Sequence, residues 1–396
     1  MAGARVARAE GEGWLENAMH SDRWGPDRGV FAGDAPADPR AERIDATGLT
    51  IVPGLIDLHT HLLLHPYDEA PWEDQVVRES LESRVIRATA AARATLEAGI
   101  TTIRELGTEG RGSATWRCAT RCGRREIPGP RIEASTFAIV ASGSYAPKRL
   151  RPARDRAARR RGDHGGGGRA RAARRQIGLG ADWVKVYADY ARGDDTKATP
   201  TLTKEELEAV CDEARSAGRR VAAHATTAAG ILRAVMAGVA TIEHGDGADD
   251  SILELMRERN VVLCPTLAAS EAMARYQGWK HGEPEPARLA RSRDLVARAR
   301  KVGVTIAFGS DAGVFRHGDN ARELELLASS GMPLAEVLRA ATATPAAVLG
   351  RERELGKIEK GFLADFVGFR GDPLKDAAAY RQPALVVQGR VIVARR

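Results

Sequence analysis

The sequence contains few cysteines and no long hydrophobic run. Four cysteines are scattered through 396 residues, which argues against a disulfide framework. Cys118 and Cys122 lie four apart but lack a second pair, so a four-ligand structural zinc site is not expected there. No apolar stretch reaches the roughly eighteen residues of a membrane-spanning helix, and the first twenty residues lack the apolar run of a secretory signal. We therefore expect a cytoplasmic protein without a membrane partner.

The positive charge of the chain is concentrated in one segment. The formal net charge is +7, but residues 149–175 alone contain eleven arginines and two aspartates, a net of +9. The rest of the chain is therefore slightly acidic. The segment has no interleaved aromatic residues, so a nucleic-acid partner is not expected.

Apolar, strand-like segments alternate with helical segments of about ten to fifteen residues, a pattern typical of parallel strands joined by right-handed crossovers. A glycine-rich phosphate loop is missing, which disfavours an open doubly wound sheet. Eight such strands predict a (β/α)8 TIM barrel over 53–353. The β-like pieces in 1–52 and 354–396 predict one small β-sandwich domain built from both chain ends. The eight predicted strands are 55–58, 100–103, 131–140, 183–188, 221–224, 241–244, 261–267 and 305–311.

Potential metal ligands fall at the ends of these strands, where barrel enzymes place their active sites. His59 and His61 are two residues apart, so they point to the same side of an extended chain. His224, His244 and Asp311 close the fifth, sixth and eighth predicted strands. Imidazole and carboxylate are common ligands of zinc and similar ions. The arrangement predicts a metal site.

Lys185 lies inside an apolar strand, where burial disfavours a charged ammonium group. A neutral amine can react with CO2 to form a carbamate, an anionic ligand with two oxygens that could bridge two metal ions. The alternative is a lysine that extends to the barrel mouth or pairs with Asp311.

Several motifs together resemble the amidohydrolase superfamily. They are PGLIDLHTH at 53–61, Lys185, VAAHA at 221–225, TIEHG at 241–245, GSDAG at 309–313 and LGKIEKGFLADFV at 355–367. Within the superfamily the chain is most similar to the imidazolonepropionase-like and metal-dependent dipeptidase or carboxypeptidase branch.

The resemblance implies two divalent ions, with zinc as the first candidate. One ion would be held by His59, His61, carbamylated Lys185 and Asp311, and the second by Lys185, His224 and His244. Two ions lower the pKa of water so that hydroxide forms near neutral pH. Asp311 would then act as the proton shuttle in hydrolysis of an amide bond.

Tyr145 is a candidate donor to the substrate oxyanion. It lies in Gly143-Ser144-Tyr145, which is similar to a segment of isoaspartyl-dipeptidase-like members and departs from the Thr-Gly-Gly-His-Gly of many peptidase-like relatives. The alternative is an ordinary aromatic residue at the mouth. His65, Tyr187 and His317 are further candidates for substrate contact.

The expected substrate is a small molecule such as a dipeptide, an N-acyl amino acid or a cyclic amide. The alternatives are a mononuclear deaminase or imidazolonepropionase-type hydrolase with unmodified lysine, a basic nucleic-acid-binding protein, and a barrel that has lost activity. The sequence leaves assembly into a homo-oligomer open.

Two further expectations concern charged residues outside the metal set. Arg104 and Glu105 are expected to form an internal ion pair, and the alternative is that they bind a substrate carboxylate. Residues 149–175 contain one leucine and no other large apolar side chain, so they are expected to be flexible and protease-sensitive. Compensating frame slips in this window and in 112–125 are one explanation of its composition, and a basic lid or nucleic-acid arm is the other.

Overall fold

The computed structural model describes residues 44–109, 114–145, 165–193 and 195–396, together with the backbone of three strands nearer the N-terminus. Its elements are α-helices and β-strands in mixed order, as the sequence predicts. Sixteen strands are described: β1 (Ala4–Ala7), β2 (Trp14–His20), β3 (Val30–Ala32), β4 (Thr50–Pro53), β5 (Leu55–Thr60), β6 (Ile100–Glu105), β7 (Arg131–Ala134), β8 (Trp183–Tyr187), β9 (Asp189–Tyr190), β10 (Thr199–Pro200), β11 (Arg220–Ala225), β12 (Thr241–His244), β13 (Val262–Cys264), β14 (Phe366–Phe369), β15 (Pro383–Gln388) and β16 (Val391–Arg395).

Strands from both ends of the chain form one seven-stranded sheet. Its order is β16-β15-β14-β4-β1-β2-β3. The central strand β4 pairs in parallel with β1 and antiparallel with β14. Ile51, Phe366 and Leu385 are buried together in its apolar core. The two chain ends therefore share one sheet and one apolar core.

The middle of the chain forms two parallel sheets, one of β5-β6-β7 and one of β13-β12-β11-β8. Every pairing within them is parallel. Single bridges extend these sheets: Ile139 pairs with Val186, Ile306 with Leu263, and Ala312 with Thr60. Parallel strands place their carboxyl ends at one edge, so the side chains at those ends can meet.

The predicted eighth strand, 305–311, differs from a regular strand. It contacts both neighbouring strands through single bridges and backbone hydrogen bonds, such as Asp311 N to His59 O at 2.7 Å. Asp311 has a left-handed backbone with a φ of 62°, which interrupts the extended conformation. The turn places Asp311 beside the residues at the end of β5.

Twelve α-helices are described, and their ends follow local sequence rules. Thr203 and Glu206 form the predicted capping box, and Gly238 and Gly303 end two helices in the left-handed conformation. The helices are α1 (Trp72–Val77), α2 (Leu81–Glu97), α3 (Ala114–Gly123), α4 (Gly165–Gly178), α5 (Lys204–Ser216), α6 (Ala228–Ala237), α7 (Asp250–Glu258), α8 (Leu267–Tyr276), α9 (Ala287–Val302), α10 (Arg322–Ser329), α11 (Leu334–Ala340) and α12 (Ala343–Leu349).

The arginine-rich window is partly ordered, which corrects one expectation. Residues 165–175 belong to α4, where Arg169 and Ala173 are buried. Arg169 donates to Glu206 at 3.1 Å and to the Val140 carbonyl at 3.0 Å. The Glu206 carboxylate on α5 thus balances the charge of Arg169. Residues 149–164 lie outside the described residues.

The four cysteines are free and buried, which confirms that no disulfide framework is present. Among the described helices, none combines the length and apolarity that crossing a bilayer requires.

Candidate metal centre and active site

Four histidines and one aspartate converge at the carboxyl ends of the parallel strands. His59 and His224 are the penultimate residues of β5 and β11, His61 lies just beyond β5, and His244 ends β12. Asp311 lies at the end of the predicted eighth strand, 305–311. All five line one cavity of about 870 Å³. The strand-end pattern in the sequence therefore corresponds to side chains that share a space.

Asp311 lies at the centre of this group. Its Oδ1 atom is 3.3 Å from His61 Nε2 and 3.6 Å from His59 Nε2. Ligand atoms of His59, His244 and Asp311 all lie within 4.8 Å of one another. Two nitrogens and an oxygen at such separations can bind one divalent ion.

His224 and His244 form the other side of the group. Their ring centroids are 4.5 Å apart, and the His59 ring lies 5.3 Å from His244. The Tyr187 ring stacks on His224 at 4.5 Å. His224 and His244 are thus positioned together, next to the cluster around Asp311.

Lys185 is fully buried in β8, and its Nζ atom has no hydrogen-bond partner among the described residues. Burial lowers the pKa of Lys185, although Glu243 and Asp311 partly oppose the shift. Burial lowers the pKa of His59, His224 and His244, and the nearby lysine charge lowers it further, so the amine lies among the histidines. An orphaned buried amine in this position fits a residue that binds or is modified into a metal ligand.

A buried network fixes the orientation of His59. Its Nδ1 lies 2.8 Å from Glu243 Oε2, and Arg104 donates to Glu243 Oε1 at 2.7 Å. Arg104 also donates to the Leu58 carbonyl at 2.7 Å. The expected Arg104–Glu105 pair is therefore wrong. Adjacent strand residues point to opposite faces, so Arg104 meets Glu243 and not Glu105.

Two other ligand candidates, His61 and His244, are also held through their second ring nitrogen. His61 Nδ1 lies 3.3 Å from the Gly107 carbonyl, and His244 Nδ1 lies 2.7 Å from Thr266 Oγ1. Such contacts set the ring orientation of metal-binding histidines and leave the opposite nitrogen for the ion. His224 Nε2 is 3.9 Å from Asp189 Oδ1, which is beyond hydrogen-bonding distance.

Asp57 links β5 to the Asp311 segment. One of its oxygens accepts from the backbone N–H groups of His59 and Ser310, each at 3.0 Å. The other accepts from the Ser310 hydroxyl and from Asn320 Nδ2 at 2.9 Å. Burial raises the pKa of Asp57 to about 6, although these donors oppose the shift. The carboxyl group thereby fixes the spacing between His59 and Asp311.

The pKa values of His59 and His61 are shifted in opposite directions. Burial and the Lys185 charge lower the pKa of His59 to about 4. Burial also disfavours charge on His61, but the Asp311 carboxylate outweighs it and raises the pKa of His61 to about 9. For Asp311, burial opposes ionisation, yet the two histidines lower its pKa. A carboxylate therefore persists at the centre of the group.

The rest of the cavity wall is aromatic on one side. Tyr145, Tyr187 and Tyr190 line it together with Glu109, and the Tyr145 ring stacks on Tyr187 at 4.4 Å. The Tyr145 hydroxyl donates to Glu109 Oε2 at 2.5 Å. The Tyr145 hydroxyl, which the sequence suggests as a donor to the substrate oxyanion, therefore donates to Glu109 in this structure.

Left-handed backbone conformations concentrate at this cavity. Of the eight described non-glycine residues with positive φ, four line it: Glu109, His244, Thr266 and Asp311. Non-glycine residues in this region are uncommon and recur where structure positions functional groups.

The structure places two predicted substrate contacts elsewhere. His65 lies between Glu69 and Glu79, at 2.9 and 2.8 Å, and His317 lies 3.2 Å from the Leu64 carbonyl. Neither lines the cavity with the metal-ligand candidates. Tyr145 and Tyr187 do line it.

Glu109 and Glu243 were not singled out in the sequence. Glu243 could have been noticed as a carboxylate inside the buried strand TIEHG. Glu109 follows β6 in a loop without periodicity, and no local signal distinguishes it.

Comparisons with known proteins identify the family of this chain. A profile described as the amidohydrolase family matches residues 50–392. An ochratoxinase of Aspergillus niger is 32% identical over 224 residues, which cover 54% of this chain and 46% of that protein. The chain thus spans about half the length of this curated relative. An uncharacterized protein of Mycobacterium tuberculosis is 27% identical over 357 residues, covering 85% of this chain and 83% of that one.

Solved structures resemble nearly the whole chain. A Xaa-Pro dipeptidase with bound methionine is 28% identical, with a TM-score of 0.87 over 99% of this chain and 98% of that one. A prolidase complexed with N-methylphosphonate-L-proline is also 28% identical, with a TM-score of 0.82 over 100% and 99%. The family that the sequence motifs indicated is thereby confirmed: the chain belongs to the amidohydrolase family.

Proposed function

We propose that this chain is a metal-dependent hydrolase that cleaves the amide C–N bond of a small substrate, such as a dipeptide, an N-acyl amino acid or a cyclic amide. The observation that carries the proposal is the convergence of four histidines and Asp311 at one cavity, beside an orphaned buried lysine amine. The dipeptidase and prolidase structures, which this chain resembles over nearly its full length, support an amide substrate.

The proposed architecture is a closed (β/α)8 barrel over 53–353 with a small β-domain formed by 1–52 and 354–396. The three single bridges at Ile139, Ile306 and Ala312 support closure, since each connects a strand to the next one around the ring. The seven-stranded sheet supports the composite domain.

The proposed site holds two divalent ions, with zinc as the first candidate. His59, His61, Lys185 and Asp311 would hold one ion, and Lys185, His224 and His244 the other. Divalent ions in such a site supply Lewis acidity, which makes water a nucleophile near neutral pH and polarises a carbonyl group.

Lys185 serves in this proposal as a carbamate. The neutral Nζ attacks CO2, a nitrogen–carbon bond forms, and a proton leaves, so the side chain becomes an anion with two oxygens. The lowered pKa of Lys185 favours the neutral amine that this step requires. The change also replaces an orphaned donor with a group that can bind ions.

Asp311 is the proposed proton shuttle. Its carboxylate stays ionised because His59 and His61 stabilise it, so an Oδ atom can accept the proton of the attacking water and deliver it to the leaving nitrogen. Tyr145 is the proposed oxyanion donor, and its hydroxyl would have to turn from Glu109 to the substrate.

The test is a hydrolysis screen of metal-loaded enzyme with dipeptides, N-acyl amino acids, lactones and cyclic amides, accompanied by elemental analysis. Amide hydrolysis with about two ions per chain is the expected result. A single ion with unmodified Lys185 in active enzyme would instead support the mononuclear deaminase or imidazolonepropionase-type reaction. A metal-replete Asp311→Asn variant is the matched control for contaminating hydrolases.

A further inference from the structure

Glu109 is a buried carboxylate that faces the proposed active site. Its side chain is 3% exposed, and the residue lines the cavity that contains the metal-ligand candidates. Oε2 accepts from the Tyr145 hydroxyl at 2.5 Å and from Trp72 Nε1 at 3.0 Å. Two neutral donors thus hold the carboxylate in a fixed orientation.

The backbone of Glu109 is held as firmly as its side chain. Arg84 is fully buried and donates to the Glu109 carbonyl at 3.1 Å and to the Leu63 carbonyl at 3.0 Å. Glu109 itself has a φ of 49°, a conformation that costs free energy in a non-glycine residue. A strained, rigid position at a cavity wall is typical of a residue that contacts a ligand.

The carboxylate has no lysine or arginine partner within 4.0 Å in the described part of the chain. The one cationic side chain at that distance is His61, whose Nδ1 lies 3.8 Å from Oε1. A metal-bound His61 would be neutral, so it would not balance the charge. Buried carboxylates are normally paired with a cation, and here the free side of the group is the cavity.

The surroundings of Glu109 are those of a cation-binding pocket. The Trp72 ring lies 4.6 Å from Tyr145, Tyr145 stacks on Tyr187, and the Tyr190 ring lies 5.0 Å from Tyr145. The other face of Tyr187 stacks on His224, so these rings form an apolar wall around the carboxylate, and an ion pair with Glu109 is the main attraction for an ammonium group. The cationic side chains of the cavity wall are Lys197 and, on α9, Arg288 and Arg291. Burial lowers the pKa of His224 and His244, and the Arg288 charge lowers it further.

We propose that Glu109 binds a protonated amine of the substrate, so that the enzyme prefers aminoacyl amides to acyl amides without an ammonium group. The proposal rests on the proposed function and narrows it from amides in general to dipeptide-like compounds. Glu109 would be a specificity residue next to the scissile carbonyl, since it lies beside the metal-ligand candidate His61.

The first test compares glycyl and propionyl derivatives of the same panel of amino acids. The two acyl groups are nearly isosteric and differ in the ammonium group. Wild-type enzyme should favour the glycyl series in kcat/KM by roughly ten-fold or more, because one buried ion pair is worth at least that much. Glu109→Gln keeps an oxygen acceptor for Trp72 and Tyr145, and it should remove this preference by lowering the glycyl rate alone.

Glu258→Gln provides the matched control. Glu258 is an exposed residue of α7 outside the cavity wall, so the variant makes the same chemical change without touching Glu109 or the cavity. Its glycyl-to-propionyl ratio should equal that of wild type. Equal losses for both substrate series in Glu109→Gln, or a wild-type preference for propionyl compounds, would overturn the proposal. Failure of wild type to cleave either series would count against the proposed function instead.

A binding measurement tests the proposal independently of turnover. Calorimetric titration of zinc-loaded protein with glycine hydroxamate and propionohydroxamate compares two metal-anchored probes that differ in the ammonium group. Glycine hydroxamate should bind roughly ten-fold more tightly to wild type, and Glu109→Gln should abolish the difference. Equal affinities in wild type would refute the ammonium site.

Discussion

His59 Nδ1 lies 2.8 Å from Glu243 Oε2, and Glu243 directly precedes His244 on β12. Neighbouring residues of a regular strand point to opposite faces, but His244 has a left-handed backbone with a φ of 72°, and its ring lies 5.3 Å from that of His59. The strand β12 therefore supplies two groups to the site. His244 is a metal-ligand candidate, and the Glu243 carboxylate orients the ligand candidate His59 on β5. Two strands that share no hydrogen-bonded ladder among the described pairings are thereby coupled at the site.

This coupling predicts that Glu243→Gln weakens metal binding. The amide cannot accept as strongly from His59 and leaves Arg104 without its buried anion, so the affinity for zinc should fall about 10- to 100-fold. Competition with a chromophoric chelator measures the affinity. Glu258→Gln, at an exposed position of α7, is the control and should bind zinc as wild type does. Unchanged affinity in Glu243→Gln would show that this carboxylate does not orient His59.

Lys185→Ala should bind fewer ions than wild type. The variant removes the proposed bridging group, and elemental analysis of protein prepared with zinc and bicarbonate should show the loss from about two ions per chain. Adding a short carboxylic acid should restore part of the metal, because a carboxylate can occupy the space of the carbamate. Full metal content in the untreated variant would contradict the bridging role.

Asp311→Asn should keep much of its metal while turnover falls by about 10²- to 10⁴-fold. The amide can still contribute an oxygen, but it cannot accept and release the proton at neutral pH. Turnover is measured on protein whose metal content has been matched to wild type. A rate near that of wild type would exclude Asp311 as the shuttle.

Tyr145→Phe should reduce turnover by about 10²-fold with little change in metal content. The phenyl ring preserves the stacking on Tyr187, so the variant isolates the hydroxyl group. Steady-state kinetics with matched metal loading measures the effect. If the rate stays the same, the hydroxyl serves only to hold Glu109.

Glu323→Gln should change the pH dependence of stability. Burial raises the pKa of Glu323 from its usual 4.5 to about 8, while Ala268 N donates to its Oε2 at 2.6 Å. Between these two values the unfolded chain has lost the proton and the folded chain has kept it, so stability falls as pH rises. The free energy of unfolding of Glu323→Gln, measured relative to that of wild type, should therefore increase by roughly 3 kcal/mol from pH 5 to pH 8.

Chemical denaturation at several pH values provides the measurement. The two proteins should respond alike below about pH 4.5, where the carboxyl group is protonated in both states. If the free energies of unfolding of the two proteins change in parallel at every pH, the pKa of Glu323 in the folded protein is not raised.

Local rules explain the part of the fold that the sequence predicted well. The capping box at Thr203 and the helix-ending glycines act over a few residues, so they mark α5, α6 and α9 closely. Alternating strands and helices predicted the parallel pairings of the middle of the chain. The positions of His59, His61, His224, His244 and Asp311 at one cavity follow from the rule that parallel strands end at a common edge.

Contacts between distant segments explain what the sequence did not reveal. The choice of Glu243 over Glu105 as the partner of Arg104 depends on which side chains face each other across the sheets, at a separation of 139 residues. The burial of Arg169 depends on Glu206, which lies 37 residues further along the chain. Composition alone suggested a solvated segment there, because it contains no information about the partner on α5.

The shared end sheet has a consequence for biosynthesis. β4 is flanked by β1 and by β14, whose paired residues lie more than 300 positions further along the chain. At about 5–20 residues per second, the ribosome needs on the order of 15–60 s to make that partner after β4 is complete. During this interval one edge of an apolar strand has unpaired N–H and C=O groups, which attract other strands. The nascent chain is thus open to mispairing until its last segments emerge, and the delay grows wherever translation of the middle of the message slows.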